Sequence, residues 1–159
     1  LLCWCCSQQL VQVPANITRQ HTCALEGMVV ADHAGPKAQL LRRDGARLFY
    51  CESKEVFEEI LDPFRRQKIA RVWFQTLDAH PWEAHAGGWA EGDGLLFVAG
   101  SDKRGAMGPT LAPFAQRTAA EDFVKTHGGS IYRYAEVDAE VLAALKSQGM
   151  GELQSIGHH

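Results

Sequence analysis

An α+β fold of two small related ββαβ-like modules with a C-terminal helix is the class this sequence predicts. Three observations carry it: the order strand, strand, helix, strand can be read twice; Asp44-Gly45 sits between two apolar arms as a hairpin turn; and residues 138–148 put Val141, Leu142 and Leu145 on one side of a helix. The 159 residues, 46% hydrophobic and 22% charged, suffice for one ordinary globular domain or two very small ones. Collagen-like, disordered and repeat-fibre organisations are excluded by the same figures.

The elements follow in order. Residues 7–21 are polar, contain Pro14 and show no sustained period, so they read as a tether, with folding starting near His21. Arms at 39–43 and 47–51 flank the Asp44-Gly45 turn. Ser53 precedes Val56, Phe57, Ile60, Leu61 and Phe64 at helical spacing, which predicts a capped amphipathic helix to about Phe64. Val72, Phe74 and Thr76 alternate within a strand at 69–77. The stretch 79–94, with four glycines and two tryptophans, reads as a connector. A buried-strand pattern at 95–100, a second strand at 111–116 broken by Pro113, a helix at 119–127 capped by Thr118 and ended by Gly128-Gly129, and a strand at 131–134 repeat the first order. In this alignment Met28 and Met107 occupy comparable places. The expected boundaries are an anchor and tether at 1–20, modules at 21–80 and 81–149, and a flexible tail at 150–159.

Sixteen Lys and Arg against nineteen Asp and Glu give a net charge of -3, so no basic field exists to hold a phosphate backbone, and nucleic acid is excluded as a partner. No apolar run reaches the roughly 18–20 residues that span a bilayer. The opening Leu1-Leu2-Cys3-Trp4-Cys5-Cys6 turns polar at Ser7, like the end of a secretory apolar segment, and its cysteines suggest a bacterial lipoprotein with Cys6 as the preferred lipid-bearing residue. A plain disordered apolar remnant is the alternative. The Asn16-Ile17-Thr18 triplet is read as linker and the terminal Gly157-His158-His159 as without function.

Of five cysteines, only Cys23 and Cys51 fall in the folded part, too few for a disulfide scaffold. No Cys-x-x-Cys pair, His-Glu-x-x-His, phosphate loop or Gly-x-Ser-x-Gly elbow is present, so the common zinc, nucleotide and hydrolase chemistries lack their residues. What remains is soft sulfur: Cys23 and Met28 in Thr22-Cys-Ala-Leu-Glu-Gly-Met28, and Met107 in Lys103-Arg-Gly-Ala-Met-Gly-Pro109. Polarizable thiolate and thioether ligands select Cu(I). On residue type alone each methionine suits a core gap at least as well, and spacing does not decide between the two.

The run from Cys23 to Tyr134 resembles the nitrous oxide reductase accessory protein family, the copper-chaperone lipoproteins called NosL. The resemblance rests on Cys23-Ala-Leu-Glu-Gly-Met28 against an early Cys-x-x-Cys-Gly-Met segment, on Asp32-His-Ala-Gly-Pro-Lys37, on Tyr50-Cys51, on Lys103-Arg-Gly-Ala-Met-Gly108 and on His127-Gly128-Gly129, in that order. It implies two ββαβ-like modules and Cu(I) held by Met28 and Met107. It also implies a periplasmic, membrane-anchored chaperone, not an enzyme, that passes copper to an ABC transporter and its periplasmic adaptor for nitrous oxide reductase maturation in denitrification. The family pattern has Cys where this chain has Glu26, which leaves Cys23 as the thiolate or makes Glu26 a harder, weaker oxygen ligand. The set Cys23, Met28 and Met107 is preferred, with Glu26 as the fourth candidate.

Other residues are weaker candidates. His21 and His85 suit copper in either oxidation state but also suit a plain surface role. Cys51 reads as a small core residue that an oxidising compartment would permit to pair with Cys23. Trp73, Trp82 and Trp89 read as core closure, with an exposed docking pair as the alternative. Two rival functions remain: a metal-free docking scaffold for the transporter, favoured by Glu26, and a thiol-dependent lyase in which His21 activates Cys23, the family fold being similar to that of organomercurial lyase.

Overall fold

The computed structural model describes residues 13–83 and 88–156. Cys6, His85 and the Gly157-His158-His159 end lie outside the described residues.

Strand β1 (Ala38–Arg42) runs antiparallel to β2 (Arg47–Tyr50), with Ala38 opposite Tyr50 and Leu41 opposite Arg47. The two-residue turn works because Gly45 takes φ +92° and Asp44 Oδ1 accepts the Ala46 N–H at 3.0 Å. Helix α1 (Val56–Leu61) and the short α2 (Pro63–Arg66) lead to β3 (Ile69–Gln75), which pairs antiparallel with the other edge of β1. Strand β4 (Trp89–Glu91) adds to β3, giving the order β2-β1-β3-β4. The second half repeats this plan. Strand β5 (Leu96–Ala99) is central, and a two-stranded ribbon of β6 (Arg104–Gly105) and β7 (Gly108–Pro109) interrupts the path to β8 (Ala112–Phe114). Helix α3 (Arg117–His127) then crosses to β9 (Ser130–Arg133), giving the order β8-β5-β9 with both pairings antiparallel. In each half the first strand is central, its hairpin partner lies on one side, and the strand after the helix lies on the other. Helix α4 (Ala139–Ile156) closes the chain. The α+β class, the two ββαβ units and the C-terminal helix agree with the sequence reading.

One core joins the halves. Leu40, Phe57 and Phe74 from the first and Phe97, Leu111, Val141 and Leu145 from the second belong to a single buried cluster. Its centre is aromatic: the Phe57 ring lies 5.3 Å from Phe97, 5.6 Å from Phe74 and 5.5 Å from Tyr134. Alternation along β5 turns Phe97 and Ala99 to this core and Val98 to a second one, where Trp82 stacks on Phe123 of α3 at 6.3 Å. The opposite face of the first sheet carries Gln39 and Phe49. Gln39 exchanges two hydrogen bonds with the Ala15 backbone, at 2.8 and 3.0 Å, so residues expected to be tether run along this face.

Several local expectations are corrected. The first helix stops at Leu61 because Pro63 disfavours helical geometry at Asp62, which turns extended and accepts the Phe64 and Arg65 N–H groups as a new N-cap. Phe64, expected on the apolar stripe, is therefore 80% exposed. Ser53 does not cap α1; its hydroxyl donates to the Leu111 carbonyl across the two halves. Thr118 caps nothing either. Helix α3 begins at Arg117, and the Asp78 carboxylate takes the N–H groups of Ala115 and Gln116 just ahead of it. The connector contributes strand β4. Helix α4 continues through Gly149, which approaches Pro109 so closely that a Cβ there would stand 3.2 Å from its ring; Met150, expected in a tail, is helical. No helix among the described residues is long and apolar enough to cross a membrane.

Because Phe57 touches aromatic rings of both halves, Phe57→Ala is expected to cost about 3–5 kcal/mol and to lower one cooperative transition, whereas Phe64→Ala stays within about 0.5 kcal/mol. Denaturant titration followed by both tryptophan fluorescence and far-ultraviolet circular dichroism checks it: two separated transitions would show that the halves do not share a core.

Candidate metal centre

The segment Thr22–Val29 forms a tight hairpin. Thr22 bridges Val29, the Cys23 N–H reaches the Met28 carbonyl at 2.7 Å, and Gly27, at φ +71°, returns its N–H to the Cys23 carbonyl at 2.9 Å. This turn docks on the end of β2 through a parallel bridge from Cys23 to Phe49 and an Ala24 N–H to Phe49 carbonyl bond of 2.8 Å. Cys23 and Cys51 thereby meet in a buried cluster with Val30 and Phe49, against which Met28 and Ala106 pack.

The sulfur of Cys23 is surrounded by donors. The Cys51 thiol and the backbone N–H groups of Glu26, Cys51 and Leu25 all point to it and hold its pKa down to about 4, against the opposing effect of burial. Cys51, the donor in that thiol pair and wholly buried, is pushed far up. Glu55 Oε2 stands 3.3 Å from Cys23 Sγ and also takes the Glu52 N–H at 3.2 Å. Burial, the neighbouring Cys23 charge and the hydrogen bond with Cys23 raise the Glu55 carboxyl to about 8. Beneath lies Lys37, fully buried, its ammonium donating to the carbonyls of His33 at 2.6 Å and Ala34 at 3.1 Å. Burial lowers it to about 8, opposed by Cys51, Glu52, Glu55 and Cys23, which places a buried positive charge within the field of the cysteines.

The ribbon that carries Met107 is pinned by the same stretch of chain. The Glu52 carboxylate accepts the Met107 N–H and fills the space over Gly105, where a Cβ would meet its Oε2 at 2.7 Å. Lys54 donates to the carbonyls of Pro109 at 2.7 Å and Met107 at 3.3 Å and pairs with Glu52 at 3.4 Å. Met107 is 51% exposed at the tip. It shares the lining of a cavity of about 180 Å³ with Leu25, Glu26, Lys54, Glu55 and Glu58.

The candidates therefore divide. Cys23 and Met28 lie in one buried cluster; Met107 and the Glu26 side chain lie on the lip of the adjoining cavity; Glu55 faces both. The two methionines do not occupy equivalent positions in the repeat, since Met28 precedes the first strand of its unit and Met107 lies between the first and second strands of the other. His21 stacks on Phe49 at 4.0 Å and accepts the Thr18 N–H at Nδ1, so the acid–base neighbour of Cys23 is Glu55 and not histidine. Trp73 and Trp82 are buried and Trp89 is half-buried, which removes the exposed docking pair. Cys51, read as a core residue, and Glu55, Glu52, Lys54 and Lys37 were missed as parts of the site. The run Cys51-Glu-Ser-Lys-Glu55 is the available signal, being charged where a helix is about to bury its first turn. Among the described residues no three His, Cys, Asp or Glu side chains are placed to hold a metal.

Fold and site together define a small α+β protein of two ββαβ units with Cys23 and Met28 in one buried cluster and Met107 on an adjoining cavity, a set of soft sulfur side chains of the kind that suits a soft metal. The NosL family model matches residues 14–142, and the chain belongs to that family. It is 30% identical over 141 residues to the copper-binding lipoprotein NosL of Stutzerimonas stutzeri, covering 86% of this chain and 74% of that protein. It is 29% identical over 153 residues to the protein of the same name from Achromobacter cycloclastes, covering 89% and 78%. The crystal structure of the copper chaperone NosL from Shewanella denitrificans superposes with a TM-score of 0.76 at 30% identity, over 81% of this chain and 97% of that one.

The thiolate is directly checkable. In reduced protein the ultraviolet thiolate absorbance assigned to Cys23 is expected to persist down to about pH 4, and to move to higher pH in Cys51→Ala. An unfolded cysteine keeps its proton up to about 9, so the contribution of Cys23 to stability grows as pH rises from about 4 and is lost as pH falls through that value. Glu55, raised from 4.5 to about 8, acts in the opposite sense between those values, so Glu55→Gln is expected to steepen the rise of stability with pH.

Proposed function

We propose that this chain is a Cu(I) chaperone that holds one ion between the Cys23–Met28 turn and the Met107 turn. Cys23 supplies the thiolate, Met28 and Met107 the thioethers, and Glu26 a weak oxygen contact at the lip. The single observation that carries this reading is the placement of Cys23 with Met28 in one buried cluster, linked through Glu55, 3.3 Å from the Cys23 sulfur, to a cavity that Met107 and Glu26 line. Soft ligands match the soft, singly charged ion. Three sulfur ligands with only a weak, displaceable oxygen contact leave room for an incoming ligand to attack, which a carrier needs and a closed cage denies. The names of the relatives support copper as the cargo.

In this reading the protein is a periplasmic lipoprotein, tethered through Cys6. It delivers copper for maturation of nitrous oxide reductase through a membrane ABC transporter and its periplasmic adaptor, and it has no catalytic role. The half-exposed Met107 is the ligand an acceptor reaches first.

Competition against a chromophoric Cu(I) chelator under reducing conditions tests it. One Cu(I) per chain is expected, with affinity falling by about tenfold or more in Met28→Ala and Met107→Ala and further in Cys23→Ser, each tenfold corresponding to about 1.4 kcal/mol. Glu26→Gln is expected to stay within about twofold, because carboxylate is a poor partner for Cu(I). Undiminished binding in both methionine variants would place the ion elsewhere. Absence of binding by the wild type would leave a metal-free docking scaffold. Turnover of an organometal abolished by Cys23→Ser would select the lyase.

A further inference from the structure

We infer that Met107 and Met150 form a second, outer station for the soft ion, in the groove between the β6–β7 ribbon and the end of α4. The inference rests on the copper reading above: the ion leaves the Cys23–Met28 turn by exchange on the Met107 sulfur, and Met150 receives it there.

The groove holds about 660 Å³ and is lined by Met107, Gly108 and Pro109 of the ribbon and by Gly149, Met150 and Leu153 of the helix. Met107, Lys54 and Lys146 also line the smaller cavity edged by Glu26 and Glu55, so one thioether belongs to both spaces. The two walls are fastened together. Gly149 packs on the Pro109 ring, Arg104 Nε donates to Glu152 at 3.0 Å, and Gln148 donates to the Ser101 carbonyl at 3.3 Å. Met150 follows Gly149 and Met107 precedes Pro109 by two residues, so the two methionines flank a direct contact between helix and ribbon. Three rotatable bonds apiece let their sulfurs swing together.

Packing does not account for these side chains. Met107 is 51% and Met150 59% exposed, and none of the described core clusters counts a methionine among its buried residues. The charges of the lining select the ion. Lys54 and Lys146 pair with Glu52 and Glu58, which lie outside this groove, and its one carboxylate, Glu152, is held by Arg104. A divalent ion meets twice the repulsion that a monovalent one does from the three cations, and finds no carboxylate that is not already paired. Neutral, polarizable thioethers remain, and they suit a soft, singly charged ion. Without a thiolate they hold it more weakly than the inner set, which makes the outer station one of passage.

The test uses the full reduced chain with isotope-labelled methionine methyl groups, titrated without oxygen with Cu(I) as its acetonitrile complex and followed by NMR. With one equivalent, the Met28 and Met107 methyl signals are expected to move most and that of Met150 less. In Cys23→Ser, which weakens the inner set, Met107 and Met150 are expected to move together. Met150→Leu, which keeps the lining apolar, is expected to slow loss of Cu(I) to a chromophoric chelator by about threefold or more. A Met150 signal that stays in place in both proteins, or loss to the chelator unchanged in Met150→Leu, would overturn the outer station even where Met28 and Met107 shift and the chaperone reading stands. Equal shifts of Met150 with Zn(II) would overturn its selection of a soft ion. Movement of Met107 and Met150 with Met28 unmoved, the same in wild type and Cys23→Ser, would uphold the outer station and sink the inner one. No movement of any methyl signal would sink both.

Discussion

Five consecutive residues hold the candidate centre together. From Cys51 to Glu55 the chain leaves β2 and enters α1, and every side chain on the way is turned inward to a different task. Cys51 and Glu55 grip the sulfur of Cys23. Glu52 and Lys54 grip the backbone on either side of the Met107 sulfur-bearing residue. Ser53 ties this segment to the Leu111 carbonyl of the second half. Two turns far apart in sequence are thus braced by one short stretch, and the relative placement of thiolate and thioether depends on that stretch staying put.

Such a brace is costly to build, because two carboxyls, a lysine and two cysteines are withdrawn from water. The cluster lowers that cost by dividing protons and charges unevenly. Glu55 and Cys51 are both pushed up, towards their neutral forms, while Cys23, where three backbone N–H groups point, is pulled down. Lys37, capped by two carbonyls, offers a positive potential from below without competing for the sulfur. The Asp-x-x-Gly-Pro-Lys stretch accordingly serves the site indirectly. Gly35, at φ +91°, lies against the Trp82 ring and donates to its carbonyl at 2.8 Å, which sets the bend that sends Lys37 inward.

What could be read in advance follows the range of the interaction. The ββαβ order, the Asp44-Gly45 hairpin and the buried side of α4 are local patterns, written in neighbouring residues. Cys23, Met28 and Met107 stood out as the soft donors of the folded part, but residue type left core packing equally open and only the family resemblance selected them as ligands. The bracing residues did not stand out. Glu52 and Glu55 read as ordinary charges at a helix start, and only the approach of Gly105 and Cys23 from 53 and 32 positions away makes them buried partners. The helix expected to reach Phe64 failed for a local reason, the Pro63 effect on Asp62 overriding apolar spacing. The extension of α4 past Gly149 was hidden because that glycine serves a close contact with Pro109 and ends nothing.

Glu26 illustrates how a departure from a family pattern can preserve a geometry. What the turn needs at that position is a backbone N–H aimed at the Cys23 sulfur, and any residue but proline supplies one. The side chain is then free to leave the buried cluster for the lip of the cavity, where it stands with Met107. A carboxylate at that position is a harder and weaker partner for a soft ion than a thiolate. Cys23 is buried, Met28 half-buried and Met107 about half exposed beside Glu26, so these sulfur side chains differ in accessibility in that order.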